Sequence, residues 1–347
     1  MARRRPTLAD VAAAAGVSKA AVSRVVNDAY GVSPRTREHV REVIEKLGYR
    51  PDPVARALAA GHGDVVELVV VDEATVFADS PYYGRVTAGI LQELGGTNAQ
   101  LRVHVVDEKD AAGLLARIAD TVSLGVLLIN VAPELAGGFY GRCERIVAMG
   151  PSAPGVPFID MENADGAYAA VAHLHETGRR RIAALHGRPG NPCADSRREG
   201  FRRAVLDLGL PELSLAGTFR RESGYELTRQ LLAAEPELDA IFASCDLMAT
   251  GAMQALAGAG RRVPEDVAVV GFDDSIIAAC ATPPMSSVRQ PVEQMAAAAT
   301  RALVNRQLAA HWRCVFPAEL KVRQSSYRSS QGRRLGRDGG RAARTGS

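Results

Sequence analysis

The sequence predicts a small all-α headpiece built on a helix-turn-helix, followed by a larger α/β body. The first sign is residues 7–27, TLADVAAAAGVSKAAVSRVVN, which read as two short helices broken at Gly16-Val17-Ser18. The second is the alternation, from Val65 onward, of continuous apolar runs with amphipathic segments. That is the pattern of parallel sheet covered by helices on both faces. The third is charge: residues 1–60 carry 11 Lys and Arg against 6 Asp and Glu, whereas residues 61–327 carry 25 against 32. A basic module on an acidic body fits a polyanionic partner for one part only.

In the headpiece, Thr7 stands where a helix N-cap belongs, and Asp10 three places on completes a capping-box spacing. Leu8, Val11, Ala12 and Ala15 then recur at helical spacing. Gly16 permits the tight turn, Val17 plugs the gap between the helices, and Ser18 caps the second helix. Val22, Val25 and Val26 are expected to hold that helix down, leaving Lys19, Ala20, Ser23, Arg24 and Asn27 facing outward. Small and polar residues at the exposed start of a helix let it enter a major groove closely, and Arg24 can reach guanine. Ser33-Pro34 starts a third helix, with Ser33 as cap and Pro34 at the first helical position. Its buried stripe is expected to be Val40, Val43, Ile44 and Leu47, with Arg35, Arg37, Arg41 and Lys46 left for phosphate contact. A plain helical hairpin is the other reading of residues 7–27 alone; the third helix weighs against it.

The strand candidates of the body are residues 65–72, 101–106, 125–130, 145–149, 181–185, 240–244 and 267–272. Helical candidates lie between them at 84–94, 111–120, 165–177, 196–208, 223–234 and 246–259. Ligands of such sheets bind at the carboxyl ends of the strands.

Composition narrows the classes further. Five scattered cysteines without a CxxC pair read as reduced thiols in a cytoplasm, not a disulfide framework. No histidine or cysteine spacing suggests a metal site, and no cofactor is called for. The start MARRRPTLAD lacks the apolar core of a signal peptide, and no apolar run reaches membrane-spanning length, so no membrane partner is expected. Residues 328–347, with six Arg and one Asp among Gly and Ser, read as a disordered basic tail. Asp246, Asp273 and Asp274 near strand ends raise the possibility of carboxylate catalysis, but no nucleophile–base set, P-loop or GxGxxG accompanies them.

Residues 7–27, followed by LGYRPDPVARALAAG at 47–61, resemble the LacI/GalR family of bacterial transcription regulators. The likeness continues through SPYYGRV (80–86), GAYAAVAHL (166–174), GRRRIAALHG (178–187), RREGF (197–201), AIFASCDLMATGAMQAL (240–256), VPEDVAVVGFDD (263–274) and TPPMSSVRQP (282–291). It implies a periplasmic-binding-protein-like body: two doubly wound parallel-sheet subdomains with a cleft between them. The implied organisation is a headpiece at 1–50, a hinge at 51–62 and an effector-binding and dimerisation domain at 63–327. Its N-subdomain would take about 63–161 and 292–319, its C-subdomain about 162–290 and 320–327. In that family the segment matching Pro53–Ala60 turns helical only on operator DNA, where Ala55 and Leu58 would meet the minor groove. Pro51 and Pro53 disfavour helix just upstream, and eight residues are too few for a stable isolated helix. Leu58 suits an apolar wedge that kinks DNA. From the residues alone it reads as a linker leucine packed on the core.

The resemblance also transfers an effector site. Tyr82 and Tyr83 match an aromatic pair on one wall, Arg197 a ligand-gripping arginine, and Asp273 an acidic contact. Phe242 and Cys245 lie around a strand end that commonly meets ligand, while Asp246 reads as the cap of its helix and Asp274 as a turn residue. Gly150-Pro151, Glu162-Asn163 and Cys245 depart from the family pattern by removing hydroxyl-binding groups. The implied function is not catalytic. It is an allosteric transcription repressor, binding a pseudo-palindromic operator as a cytoplasmic homodimer and controlled by a small molecule, a sugar being the first expectation. Lys19, Ala20 and Arg24 would choose bases, and Thr7, Ser18, Ser23 and Asn27 would hold the DNA backbone.

Overall fold

Two short helices of a headpiece need stops as much as starts, and both are built from local chemistry. The computed structural model describes residues 6–26, 31–49, 64–309 and 311–327. Helix α1 (Leu8–Ala15) begins at a reciprocal capping box: the Asp10 amide donates to Thr7 Oγ1 at 3.3 Å and the Thr7 amide to Asp10 Oδ2 at 2.7 Å. It ends at Gly16, whose φ of 64° is the left-handed conformation that glycine adopts without a Cβ clash. Ser18 caps α2 (Lys19–Val26) by accepting from the Ala21 amide, and Ser33 caps α3 (Pro34–Leu47) by accepting from the Thr36 amide. Val11, Ala12, Ala15, Val22, Val25, Val40 and Val43 close a small core. Leu47, expected in that core, is 38% exposed; the chain turns at Gly48 and Tyr49 fills the space instead.

The body opens with β1 (Val65–Val71), which is buried along its whole length, as a continuous apolar run in a parallel sheet requires. The first sheet has the order β11-β5-β4-β3-β1-β2, with β2 (Gln100–Val106), β3 (Gly125–Ile129), β4 (Ile146–Met149), β5 (Phe158–Met161) and β11 (Arg313–Phe316), all paired in parallel. Packed on it are α4 (Ala74–Asp79), α5 (Pro81–Leu94), α6 (Glu108–Ile118), α7 (Pro133–Tyr140) and α13 (Val292–Val304). The second sheet has the order β12-β10-β9-β8-β6-β7, with β6 (Ile182–His186), β7 (Leu213–Ala216), β8 (Ala240–Ala243), β9 (Ala268–Asp273), β10 (Ser286–Arg289) and β12 (Glu319–Lys321). There only β12 runs antiparallel. Helices α8 (Asn163–Glu176), α9 (Pro192–Asp207), α10 (Arg221–Ala234), α11 (Asp246–Gly258) and α12 (Ile276–Cys280) cover it.

The chain passes between the two sheets three times: after β5, after β10, and between β11 and β12. The last crossing lies before Glu319, so the boundary expected at 319/320 falls inside β12. Across the first lobe, α5 and α13 approach so closely that a Cβ on Gly89 would lie 2.3 Å from the Glu293 carbonyl oxygen. That approach brings Arg85, one turn before Gly89, against Glu293. Its Nε and Nη2 donate to the two carboxylate oxygens at 2.6 and 2.8 Å.

Candidate functional site

On the headpiece, Lys19, Ala20 and Arg24 lie exposed along α2, and Ser23 is half-buried beside them. Thr7 and Ser18 are exposed at the starts of their helices, their hydroxyls engaged in capping. Asn27, Ala55, Leu58 and the basic tail lie outside the described residues.

In the body, the carboxyl ends of both sheets face one another across a cleft of about 800 Å³ that is open to solvent. A polar residue ends several strands there: Asp72 after β1, Asn130 after β3, Asp273 on β9 and Gln290 after β10. Parallel strands release their chains at this edge, which is why the polar groups converge. Asn130, Phe219 and Asp273 all line the cleft with positive φ values of 56°, 62° and 107°. Such backbone conformations cost non-glycine residues free energy and persist where surrounding structure enforces them.

Arg197, on the second turn of α9, is 4% exposed and held on every side. Its Nε donates to Asn163 Oδ1 at 2.8 Å, Nη1 to the Ser244 carbonyl at 2.5 Å, and Nη2 to Gln290 Oε1 at 3.2 Å. One guanidinium face stacks on the Phe272 ring at 3.7 Å. Asn163 and Gln290 stand at two of the three lobe crossings, so this one side chain ties both crossings to the second lobe. Asp273 Oδ1 lies 3.7 Å from Nη1. Burial lifts the Asp273 carboxyl above its ordinary range, an effect that the Arg197 charge opposes.

Helix α5 begins at Pro81, earlier than the expected 84, which puts both tyrosines in its first turn. Consecutive helical positions point different ways, and the two diverge accordingly. Both line the cleft, Tyr82 half-buried and Tyr83 buried, the latter donating to Asp72 Oδ2 at 2.6 Å. Burial raises both phenols far above their usual range, so both stay neutral donors. Asn130 Nδ2 donates to the Tyr83 hydroxyl at 3.0 Å, and Asn191 Nδ2 of the second lobe donates to Asn130 Oδ1 at 2.9 Å. The polar chain thus spans the lobes. Arg220 and Glu73 pair across the same opening at 2.5 Å.

Two expectations need correction. Phe242 does not reach the cleft: it points into the core from the middle of β8, fully buried between Ala184 of β6 and Val270 of β9. Asp246 does not cap α11. Cys245 takes that position, accepting from the Met248 amide through sulfur at 3.4 Å. Asp246 instead accepts from the Ser275 amide and hydroxyl at 2.7 and 2.8 Å and from the Ser287 hydroxyl at 2.6 Å, fixing the loop after β9.

Sequence reasoning passed over Asp72, Arg85, Asn130, Asn191, Cys193 and Phe219, all of which line the cleft. A signal existed for Asp72 and Asn130, each the polar residue that terminates an apolar strand. Cys193 had none: its sulfur fills the space beside Gly150, where a Cβ would lie 2.9 Å from it, and burial pushes the thiol up to about 12. Asp160, behind Arg197, is pushed up to about 6 by burial and accepts from Asn163 Nδ2 at 2.9 Å. Among the described residues no cluster of metal-ligating side chains forms, and no helix is long and apolar enough to cross a membrane.

Comparison with known proteins accounts for this architecture. Residues 7–52 match the description "Bacterial regulatory proteins, lacI family", and residues 171–326 match a periplasmic binding protein-like domain. The HTH-type transcriptional regulator CelR of Thermobifida fusca is 38% identical over 342 residues, covering 93% of this chain and 99% of its own. A solved complex of the transcriptional regulator CelR with cellobiose superposes with a TM-score of 0.72 at 36% identity, covering 92% of this chain and all of the other. The lac repressor dimer bound to operator and the anti-inducer ONPF gives a TM-score of 0.69 at 26% identity, covering 93% and 99%. With near-complete coverage in both directions, this chain belongs to the LacI family of bacterial regulatory proteins, DNA-binding transcription regulators and not enzymes.

Proposed function

We propose that the protein is a transcription repressor of the cytoplasm that binds a pseudo-palindromic operator as a homodimer and changes its DNA affinity when a sugar fills the cleft. The observation that carries the reading is the cleft itself. Arg197 and Asp273 at its floor, Asn130 and Asn191 at its mouth, and Tyr82 and Phe219 on its walls offer donors, acceptors and flat apolar faces together. That combination suits a ring bearing hydroxyls on its rim and C–H groups on its faces. The cellobiose complex of the CelR relative supports the sugar class, and the operator complex of the lac repressor dimer supports the symmetric mode of DNA binding.

Lys19, Ala20 and Arg24 read bases in this proposal, Thr7, Ser18, Ser23 and Asn27 hold phosphates, and Ala55 with Leu58 enters the minor groove. Ligand acts through the lobes. Arg197 grips both a bound sugar and two of the three crossings, so filling the cleft biases the lobe orientation, and the coupling expected of such linkage is about 1–3 kcal/mol. The test is fluorescence anisotropy of full-length protein on duplex DNA from upstream of its own coding region, with and without cellobiose. A salt-sensitive, two-chain complex whose affinity shifts about 5–150-fold with cellobiose supports the reading. Binding that ignores cellobiose at every concentration overturns the sugar assignment, and the absence of any preferred duplex overturns the repressor assignment.

A further inference from the structure

We propose that the cleft continues past Phe219 into a second compartment that receives the next unit of a sugar chain, so that the protein reads the length of its effector. The inference rests on the sugar reading above. This compartment, of about 570 Å³, shares Val76, Ser80, Phe219 and Leu247 with the main cleft. Both spaces are open to solvent along one side, which leaves room for a chain to run from one to the other. The remaining lining is polar and comes from both lobes: Asp79 from the end of α4, and Arg220, Arg221 and Glu222 from the start of α10. An apolar floor with carboxylate and guanidinium groups around it has the same character as the cleft proper.

Phe219 is the wall between the two spaces, and it is fixed. Its φ of 62° holds the backbone in the left-handed region. Its ring lies against the backbone of Gly187, where a Cβ would come within 2.0 Å of Cζ. Its carbonyl accepts from the Cys245 thiol at 3.5 Å. A rigid aromatic wall with open space on both sides suits stacking against a sugar chain that passes over it. Glu73 and Arg220 pair across the lobes where the chain would run, so an effector long enough to reach them would also bridge the lobes.

The experiment titrates full-length protein with glucose, cellobiose and cellotriose by calorimetry, beside the variants Asp79→Trp and Glu222→Ala. Asp79 is exposed and lines the second compartment but not the main cleft, so tryptophan there fills that compartment and leaves the main cleft open. The expected result is cellotriose binding about tenfold tighter than cellobiose, the equivalent of one or two added hydrogen bonds. Asp79→Trp abolishes that advantage and Glu222→Ala reduces it, with cellobiose affinity unchanged in both. Equal affinity for cellobiose and cellotriose in the parent protein overturns the inference. So does a variant that weakens both sugars alike. Binding of none of the three sugars overturns this inference together with the sugar reading; binding of cellobiose alone leaves that reading standing while removing the second compartment.

Discussion

Replacing Arg197 by alanine probes the cleft where its structural and binding roles meet. The substitution removes hydrogen bonds to Asn163, the Ser244 carbonyl and Gln290, together with the stack on Phe272, and leaves Asp273 without the cation 3.7 Å away. Breaking one partner out of a buried charged network costs about 3–5 kcal/mol. The vacated space opens onto the cleft, where water can serve the orphaned acceptors, so the low end, about 3 kcal/mol, is the expected loss in unfolding free energy. That is a large share of a total of about 5–15 kcal/mol, yet it leaves the protein folded. A sugar that accepts one charged hydrogen bond from the guanidinium loses about 1.5–3 kcal/mol, or about 10- to 150-fold in Kd. Urea unfolding followed by circular dichroism reads the first number and calorimetry with cellobiose reads the second. Non-specific DNA binding persists, because the headpiece has its own core. Arg197→Lys keeps the charge but loses the planar fork that serves three acceptors, and recovers little of either quantity. Parent-like stability and parent-like cellobiose affinity in Arg197→Ala would refute the reasoning.

Arg24→Ala is expected to relax base preference at one operator position by about 1–3 kcal/mol, measured across single-base operator variants; unchanged selectivity removes Arg24 from base reading. Leu58→Ala is expected to weaken specific binding more than non-specific binding, and equal losses on both would dismiss the wedge. For pH, Asp160 has a folded pKa of about 6, raised by burial. Folding therefore favours its neutral form, and the stability gained at low pH is lost as pH rises from about 4 to about 6. Urea titrations at pH 5 and 6.5 should differ by about 1–2 kcal/mol from this group, with the higher pH less stable, and Asp160→Asn should remove that difference. A variant with the parent's pH slope would place its origin elsewhere.

What could be read directly from the chain is whatever depends on near neighbours. Capping at Thr7, Ser18 and Ser33, the turn at Gly16, and the buried strand at 65–71 each follow from residues within a few positions of one another. Strands β5, β7, β10, β11 and β12 were not legible: each is four residues or fewer, and β11 and β12 pair with strands far back in the sequence, β5 and β10. The aromatic pair shows the same limit: the resemblance put Tyr82 and Tyr83 on a wall, and both line the cleft, but only the tertiary structure decided that Tyr83 is buried against Asp72 while Tyr82 stays half-buried.

Motif matching brought Tyr82, Arg197, Cys245 and Asp273 near one another as expectations, and the three-dimensional packing decided what each one touches. Phe242 looks like a site residue along the chain because it lies near a strand end, and Asp246 looks like a helix cap. Direction of burial assigned Phe242 to the core, and hydrogen bonding assigned Asp246 to the loop after β9, where it lines the cleft. Helix caps and apolar periodicity are short-range and additive, so the linear order of residues determines them. A cleft is made where two sheets, three crossings and side chains more than a hundred positions apart meet, and only the tertiary structure could decide that Arg197, Asn163 and Gln290 share one guanidinium.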